Sequence, residues 1–318
     1  MQADGKLTYL VTGGAGFIGS HMVSALVEGG HCVRVVDNFS TGKRENLAHV
    51  ADQIDLYEIS ITDREALAQA MDGVDYVFHL AALASVPRSV ADPLASNEVN
   101  ITGTLNVLMA ARDAGVNRVV YAGSSSAYGN LESEYKSEDM LPQPLSPYAV
   151  AKLAAEHYCH VFTEVYGLET VTVRYFNVFG PRQDPLSTYA AVIPKFVTAM
   201  LDGRRPTVEG DGLQSRDFTY IANVVHGNLL ACHTPGVAGE TFNIAVGGSI
   251  NLLEMIAILN DILGTEIEPI FVAPRPGDVK HSRAAIDKAR ERLGYEPQVS
   301  FEDGLRRTVA WYAESGAG

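Results

Sequence analysis

Apolar residues gather in short runs, broken by single polar positions, at Leu7 to Val11, Cys32 to Val36, Ile54 to Ile59, Tyr76 to Leu80, Val119 to Ala122 and Thr170 to Tyr175. Runs of this length read as strands, the first of them buried. Between them the apolar positions change to helical spacing. Phe17 to about Glu28 is one such segment; Ser96 to Ala114, apolar at Val99, Leu105, Val107 and Leu108, is a second; Tyr148 to Tyr166, with Leu153, Tyr158, Val161 and Phe162, is a third. Strand and helix alternating in this way predict an α/β fold with a doubly wound parallel sheet. After Tyr175 the regularity gives way to Gly and Pro, with helical stretches near Val192 to Asp202, Ala222 to Cys232, Leu252 to Leu263 and Phe301 to Ala313. The reading is a larger unit at 1–175 and a smaller C-terminal lobe at 176–318. No internal repeat is visible, and Asn130 to Pro147 is the most loop-like stretch.

Composition narrows the function classes. With 47% apolar and 19% charged residues in 318, the chain reads as an ordinary globule. A formal net charge of -14 argues against nucleic acid and anionic membranes as partners, because neither gains from such a surface. Any anionic ligand must therefore be met by local groups. Cys32, Cys159 and Cys232 lack metal-ligand spacing and suit free thiols in a reducing compartment. No charged segment precedes an apolar one at Met1, and no apolar run is long enough for a bilayer. The expectation is a cytoplasmic protein with no metal.

Against that background, two patterns carry chemistry. The first apolar run ends in Thr12-Gly13-Gly14-Ala15-Gly16-Phe17-Ile18-Gly19, which leads into the first helix. Its G-x-G-x-x-G core, between strand and helix, lets the backbone approach a pyrophosphate met by free amides at the helix N-terminus. The second run ends in Asp37, where a carboxylate is placed to accept from an adenosine ribose. A carboxylate there favours NAD over NADP, since it would repel a 2′-phosphate.

The second pattern is Tyr148-Ala149-Val150-Ala151-Lys152. Residues four apart at a helix start project from one face, so the phenol and the ammonium can serve one site. A neighbouring ammonium is expected to lower the phenol toward a usable base. The strand Val119 to Ala122 opens onto Gly123-Ser124-Ser125-Ser126-Ala127-Tyr128-Gly129, at the strand end where ligands gather in open parallel sheets. A hydroxyl there can bond the same substrate oxygen as Tyr148. Simple turn capping is the other reading, stronger for Ser126 than for Ser124.

Taken together, these residues resemble the extended short-chain dehydrogenase/reductase family, specifically its nucleotide-sugar 4-epimerases. The likeness extends through Asp37 to Gly42, His79-Leu80-Ala81-Ala82, Asn97 to Gly103, Ser146-Pro147-Tyr148, Arg174 to Gly180, Ser215-Arg216-Asp217-Phe218, Phe242-Asn243-Ile244 and Arg275-Pro276-Gly277-Asp278. It implies a Rossmann-like NAD site built from Gly13, Gly16, Phe17, Ile18, Gly19, Asp37, Asn38, Ser40, Thr41, Gly42, Ile61, Leu80, Ala81, Ala82, Asn100, Tyr148, Lys152, Tyr175 and Val178. It implies a UDP-sugar held by Ser85, Ser125, Ser126, Asn177 at the pyrophosphate, Arg216 and Arg275 at phosphate or ribose, Asp278 at the ribose, and Ala191, Val192 and Phe196 near the uracil. Three of these have plainer readings: Arg216 as a surface ion pair, Phe196 as a core aromatic, Asn177 as a turn former.

The implied chemistry is reversible oxidation at C4. Tyr148 as phenolate takes the C4 hydroxyl proton, Ser124 steadies the oxygen, and Lys152 holds the nicotinamide ribose. A 4-keto sugar then turns over and recovers hydride on its other face. Dehydratases and decarboxylating relatives carry an acid in the serine turn; here Ser125 and Ser126 stand there, which points to plain epimerisation.

The sugar is read from Ser282, where relatives restricted to UDP-glucose carry tyrosine. A small residue leaves room for an acetamido group, so UDP-GlcNAc and UDP-GalNAc are expected substrates beside UDP-glucose and UDP-galactose. Ala84-Ser85-Val86-Pro87-Arg88-Ser89, Gln183-Asp184-Pro185 and Tyr189 to Pro194 lean the same way. Ala84 and Ser60 depart from relatives that place a lysine and an aspartate at the cofactor. UDP-glucuronate 4-epimerase is the nearest alternative, and a non-catalytic nucleotide sensor is one of another class. The helices at Ser96 to Ala114 and Tyr148 to Tyr166 carry more apolar surface than one sheet face needs, and the resemblance implies a homodimer through a four-helix interface.

Overall fold

A computed structural model of the chain describes residues 6–131, 133, 135–185, 191–274 and 281–315. Its centre is a parallel sheet of seven strands. These are β1 (Thr8–Thr12), β2 (Cys32–Val36), β3 (Ile54–Tyr57), β4 (Tyr76–His79), β5 (Arg118–Ser124), β6 (Glu169–Tyr175) and, from much later in the chain, β11 (Thr241–Ile244). Their order is β11-β6-β5-β4-β1-β2-β3, so the chain reverses direction across the sheet between β1 and β4, the crevice where such sheets bind ligands. Five of the apolar runs are inner strands, with Leu10, Val11, Val35, Val77, Phe78, Val119, Val120, Val171 and Val173 buried, and the run from Ile54 forms β3 at the sheet edge, where none of its residues is fully buried.

Helices cover both faces. On one side lie α1 (Phe17–Glu28) and α8 (Ile221–His233); on the other α2 (Arg64–Met71), α5 (Thr104–Asp113) and α6 (Pro147–Tyr166). Two short helices, α3 (Val86–Ala91) and α4 (Pro93–Asn97), precede α5. The remaining elements are β7 (Val178–Phe179), α7 (Val192–Leu201), β8 (Thr207–Glu209), β9 (Ser215–Arg216), β10 (Thr219–Tyr220), β12 (Ile250–Asn251), α9 (Leu252–Leu263), β13 (Ile270–Val272), β14 (His281–Ser282), α10 (Asp287–Leu293) and α11 (Phe301–Ser315).

Two features differ from the periodicity. The helix expected at Ser96 to Ala114 starts earlier, at Pro93, and passes through a π-helical turn at Glu98–Gly103 before α5. Wider turns of this kind often mark functional sites. Residues beyond 175 also return to the sheet: β11 pairs with β6 in parallel, Thr241 against Thr172 through Ile244 against Tyr175. The shorter strands arrange β12-β9-β14 side by side, which sets Ser282 opposite Arg216. Asp217 fastens this corner: its buried carboxylate accepts from the backbone amides of Val246, Gly247 and Ala284 at 3.1, 3.0 and 3.2 Å, and burial raises it to about 6.

Candidate active site

At the carboxyl end of β1 the chain turns through Gly13, whose φ of +69° suits glycine. A side chain on Gly19 would place its Cβ 2.0 Å from Gly13 O. Helix α1 then begins at Gly16 with no side-chain cap and no acidic residue in its first turn, so its first amides remain available to an anion. A cleft opens over this turn, lined among others by Gly13, Gly16, Phe17, Ile18, Gly19, Asp37, Asn38, Ser40, Thr41, Ile61, Leu80, Ala81 and Ala82. Asp37 is buried at its base. Its two oxygens accept from Ala15 N at 2.9 Å and Phe39 N at 2.8 Å, and each keeps a lone pair for a ribose hydroxyl. A glycine cradle, bare helix amides and a carboxylate fit an adenine dinucleotide. Ser60 and Ala84 also line the cleft, as do Val36, Ile59, Leu83 and Val99, the last four without having been singled out from the sequence.

Of the expected cofactor residues, Gly42, Asn100, Tyr148, Lys152, Tyr175 and Val178 are not among those lining this cleft. Gly42 does not line the cleft; a Cβ on it would meet both Asp37 oxygens at 2.9 Å, so it makes room for that carboxylate. The Asn100 side chain is committed: it accepts from Leu83 N at 2.9 Å and donates to Leu83 O and Ser96 Oγ at 3.3 Å. Tyr175 lies beside Ser124 across β5 and β6, but its hydroxyl donates to Asn228 Oδ1 at 2.8 Å. Val178 pairs with Thr219 in the short sheet of β7 and β10.

The proposed reaction centre forms where β5 ends. Ser146 caps α6 by accepting from Ala149 N at 3.1 Å, and Pro147 fills the first turn. A further anchor, invisible in the sequence, is the buried Ser89 of α3, whose Oγ accepts from Tyr148 N at 3.0 Å. The Ser124 side chain lies beside the Tyr148 phenol and favours its ionised form. Ser124 is at the same time the cap of the serine turn: its Oγ accepts from Ser126 N at 3.2 Å and shares a 2.8 Å contact with Ser126 Oγ. The capping role thus falls to Ser124, not to Ser126 as the composition of the turn suggests.

Lys152 corrects one expectation. Its ammonium donates to Ala122 O, within β5, at 2.8 Å and lies 4.8 Å from the Tyr121 ring centre. Burial therefore raises the Tyr148 phenol, opposed by the Ser124 hydroxyl and not by the lysine. Burial also pushes Lys152 down to about 8. The charge is present below that pH and lost above it, so a kcat that depends on the ammonium falls as pH rises through 8. A pH–kcat profile checks this, and a rate that is flat across the range would show that the charge is not needed.

The other expected substrate residues are scattered over several elements. Ser85 caps α3, accepting from Arg88 N at 3.2 Å; Ser125 and Ser126 form the serine turn. Asn177 adopts a φ of +33° and donates to Asp217 O at 3.1 Å, in keeping with the turn reading. Phe196 is a core aromatic, as the second of its two readings had it; the apolar face of α7 takes it inward. Ala191 and Val192 begin α7. Arg216 donates to Ser215 O at 2.9 Å. Arg275, Asp278 and Tyr189 lie outside the described residues. Sequence reading missed Glu156, one and two helical turns beyond Lys152 and Tyr148 on the same face. It pairs with the buried Arg174 of β6, Nε to Oε2 at 3.0 Å and Nη2 to Oε1 at 2.5 Å. The i, i+4, i+8 spacing was the available signal.

Comparison with known proteins finds relatives along nearly the whole chain. UDP-glucose 4-epimerase of Mycolicibacterium smegmatis is 38% identical over 307 residues, 95% of this chain and 97% of that protein. The structure of UDP-N-acetylglucosamine 4-epimerase from Methanobrevibacter ruminantium M1, in complex with UDP-N-acetylmuramic acid, is 41% identical with a TM-score of 0.93, covering 98% of this chain and 99% of that one. That of UDP-glucuronic acid 4-epimerase from Bacillus cereus, in complex with UDP-glucuronic acid and NAD, is 34% identical with a TM-score of 0.89, covering 97% and 100%. NAD is the cofactor of this group. Residues 9–245 match the NAD dependent epimerase/dehydratase family, and the chain belongs to it, within the extended short-chain dehydrogenases/reductases.

Proposed function

We propose that the protein is an isomerase that inverts C4 of a UDP-hexose through a 4-keto sugar, accepting UDP-GlcNAc and UDP-GalNAc and also UDP-glucose and UDP-galactose. The observation that supports it most directly is the placement of Tyr148 beside Ser124 at the end of β5, in a turn whose next two residues are serines. When bound, NAD supplies the acceptor and donor of the C4 hydride. Tyr148 removes and returns the hydroxyl proton, near the N-terminus of α6, whose dipole favours a phenolate. Ser126 N fixes the Ser124 oxygen, and Ser124 in turn holds the substrate oxygen. No carboxyl stands in the turn to protonate a leaving group, so the ketone returns to an alcohol.

In this reading 1–175 chiefly hold NAD and 176–318 the nucleotide sugar. Ser282, opposite Arg216 across β14 and β9, is the small residue that admits the acetamido group. Ser282→Tyr is expected to abolish turnover of the N-acetylated sugars and spare UDP-glucose, and equal loss of both would remove the gate. Incubation with UDP-GlcNAc, UDP-glucose and UDP-glucuronate, without added NAD, with C4 inversion followed by NMR, tests the whole. Turnover of the glucuronate alone would favour a uronate epimerase; NAD binding with no turnover, a sensor.

Val150, Tyr158, Val161 and Val165 leave an exposed apolar stripe on α6, with half-buried Leu105 and Met109 on α5. We propose that a second copy covers it through a four-helix interface. Sedimentation is expected to give a dimer at micromolar concentration, and Val161→Glu with Val165→Glu a monomer; a native monomer would refute it. No helix among the described residues is long and apolar enough to cross a membrane, and the three cysteines are free; the proposed location is the cytoplasm.

A further inference from the structure

We propose that His79 is a positioning residue for the dinucleotide: a neutral imidazole, locked as the Nε2–H tautomer, that ties the glycine-rich turn after β1 to the π-helical turn before α5. The inference rests on the cleft's being the NAD site. His79 ends β4 and is buried.

The tautomer follows from its neighbours. Thr104 Oγ1 gives its one proton to Asn100 O at 2.8 Å. The 2.9 Å contact between Thr104 Oγ1 and His79 Nε2 therefore needs the imidazole as donor. Burial, reinforced by the Lys152 ammonium, pushes His79 down to about 3, so the ring is neutral and Nδ1 accepts. The 2.7 Å contact at Nδ1 takes the Thr12 Oγ1 proton. That leaves Thr12 Oγ1 a lone pair for Ala81 N–H, at 3.2 Å. Every proton is placed, and all point one way, from Ala81 N to Asn100 O.

Both ends of this chain reach the cleft wall. Ala81 lines the cleft directly. Asn100 grips Leu83, also in the wall, by both its N–H and its C=O. Around the imidazole, β1 and α5 bring only the two threonine hydroxyls; β5 brings Tyr121, its ring centre 5.6 Å away, and α6 brings Lys152. An imidazolium would oppose that ammonium and strip Thr12 of its acceptor.

The test is histidine 15N NMR of the full-length protein together with NAD release from His79→Phe and His79→Gln. Among the nine histidines, the one absent from His79→Gln is expected to carry its proton on Nε2 and to keep it across the neutral range. His79→Phe is expected to release NAD at least about tenfold faster, with KM for the UDP-sugar at saturating NAD unchanged. Glutamine, with an amide NH2 to donate and a carbonyl oxygen to accept, is expected to restore most of the retention. A proton on Nδ1, an imidazolium at neutral pH, or native NAD release from folded His79→Phe would overturn the proposal. If His79→Phe does not fold, Thr104→Val replaces it: faster NAD release and a mixed tautomer are expected, and native behaviour in both overturns the proposal. Native protein that neither holds nor takes up NAD would sink the cleft assignment instead, while the 15N spectrum still reads the lock.

Discussion

Tyr148→Phe is expected to lower kcat by roughly 10²–10⁴-fold, the usual range for a positioned acid/base group, with little change in KM. The substitution removes one oxygen and keeps the ring, so Ser89 still fixes the helix start through the backbone of residue 148 and Ser124 still caps its own turn. Binding is thus separated from proton transfer. The phenol contributes chiefly in the transition state, which places the loss in kcat. Initial rates with the best UDP-sugar, beside a thermal melt, measure it; inversion at native speed would end the mechanism proposed for this site.

Glu156→Ala is expected to destabilise the fold by about 3–5 kcal/mol, as breaking one side of a buried ion pair does. Arg174 is buried, stacks on Tyr128 at 4.7 Å and already has one nitrogen, Nη1, without a hydrogen-bond partner. Without the carboxylate its charge loses its ion-pair partner between α6 and β6 and keeps the weaker influence of Glu138. Because Glu156 shares a helix face with Tyr148 and Lys152, activity should fall together with stability. Urea unfolding reads the first effect and kcat the second; a midpoint within error of native would show that Arg174 finds other partners. Glu156→Gln, which retains an acceptor, should lose less.

The strands were legible because burial in the sheet favours apolar residues, so β2 falls on Cys32–Val36 as expected and β1, β3, β4, β5 and β6 differ by one or two residues at an end. Elements whose identity depends on partners far away were not. The four residues of β11 become a strand only against β6, and α2 reads as polar because only Leu67, Ala70 and Met71 turn inward. The π-helical turn is silent for a different reason: a wider hydrogen-bonded ring alters the backbone and hardly alters the apolar period. At the site, the residue types were readable and their partners were not. Spacing placed Tyr148 and Lys152 on one face, but the ammonium prefers a strand carbonyl that no sequence pattern announces. Ser89 acts through one hydrogen bond and Glu156 through a paired one, and Asn100 and Tyr175 are diverted by hydrogen bonds of their own.

The late arrival of β11 bears on how the chain is made. A ribosome delivers β6 well before its partner, and until residue 244 emerges, the buried edge of β6 has open amides and carbonyls along an apolar strand. Such an edge invites pairing with other chains. Nascent chains stalled between these two strands are therefore the species most exposed to aggregation, and the ones a chaperone would need to shield.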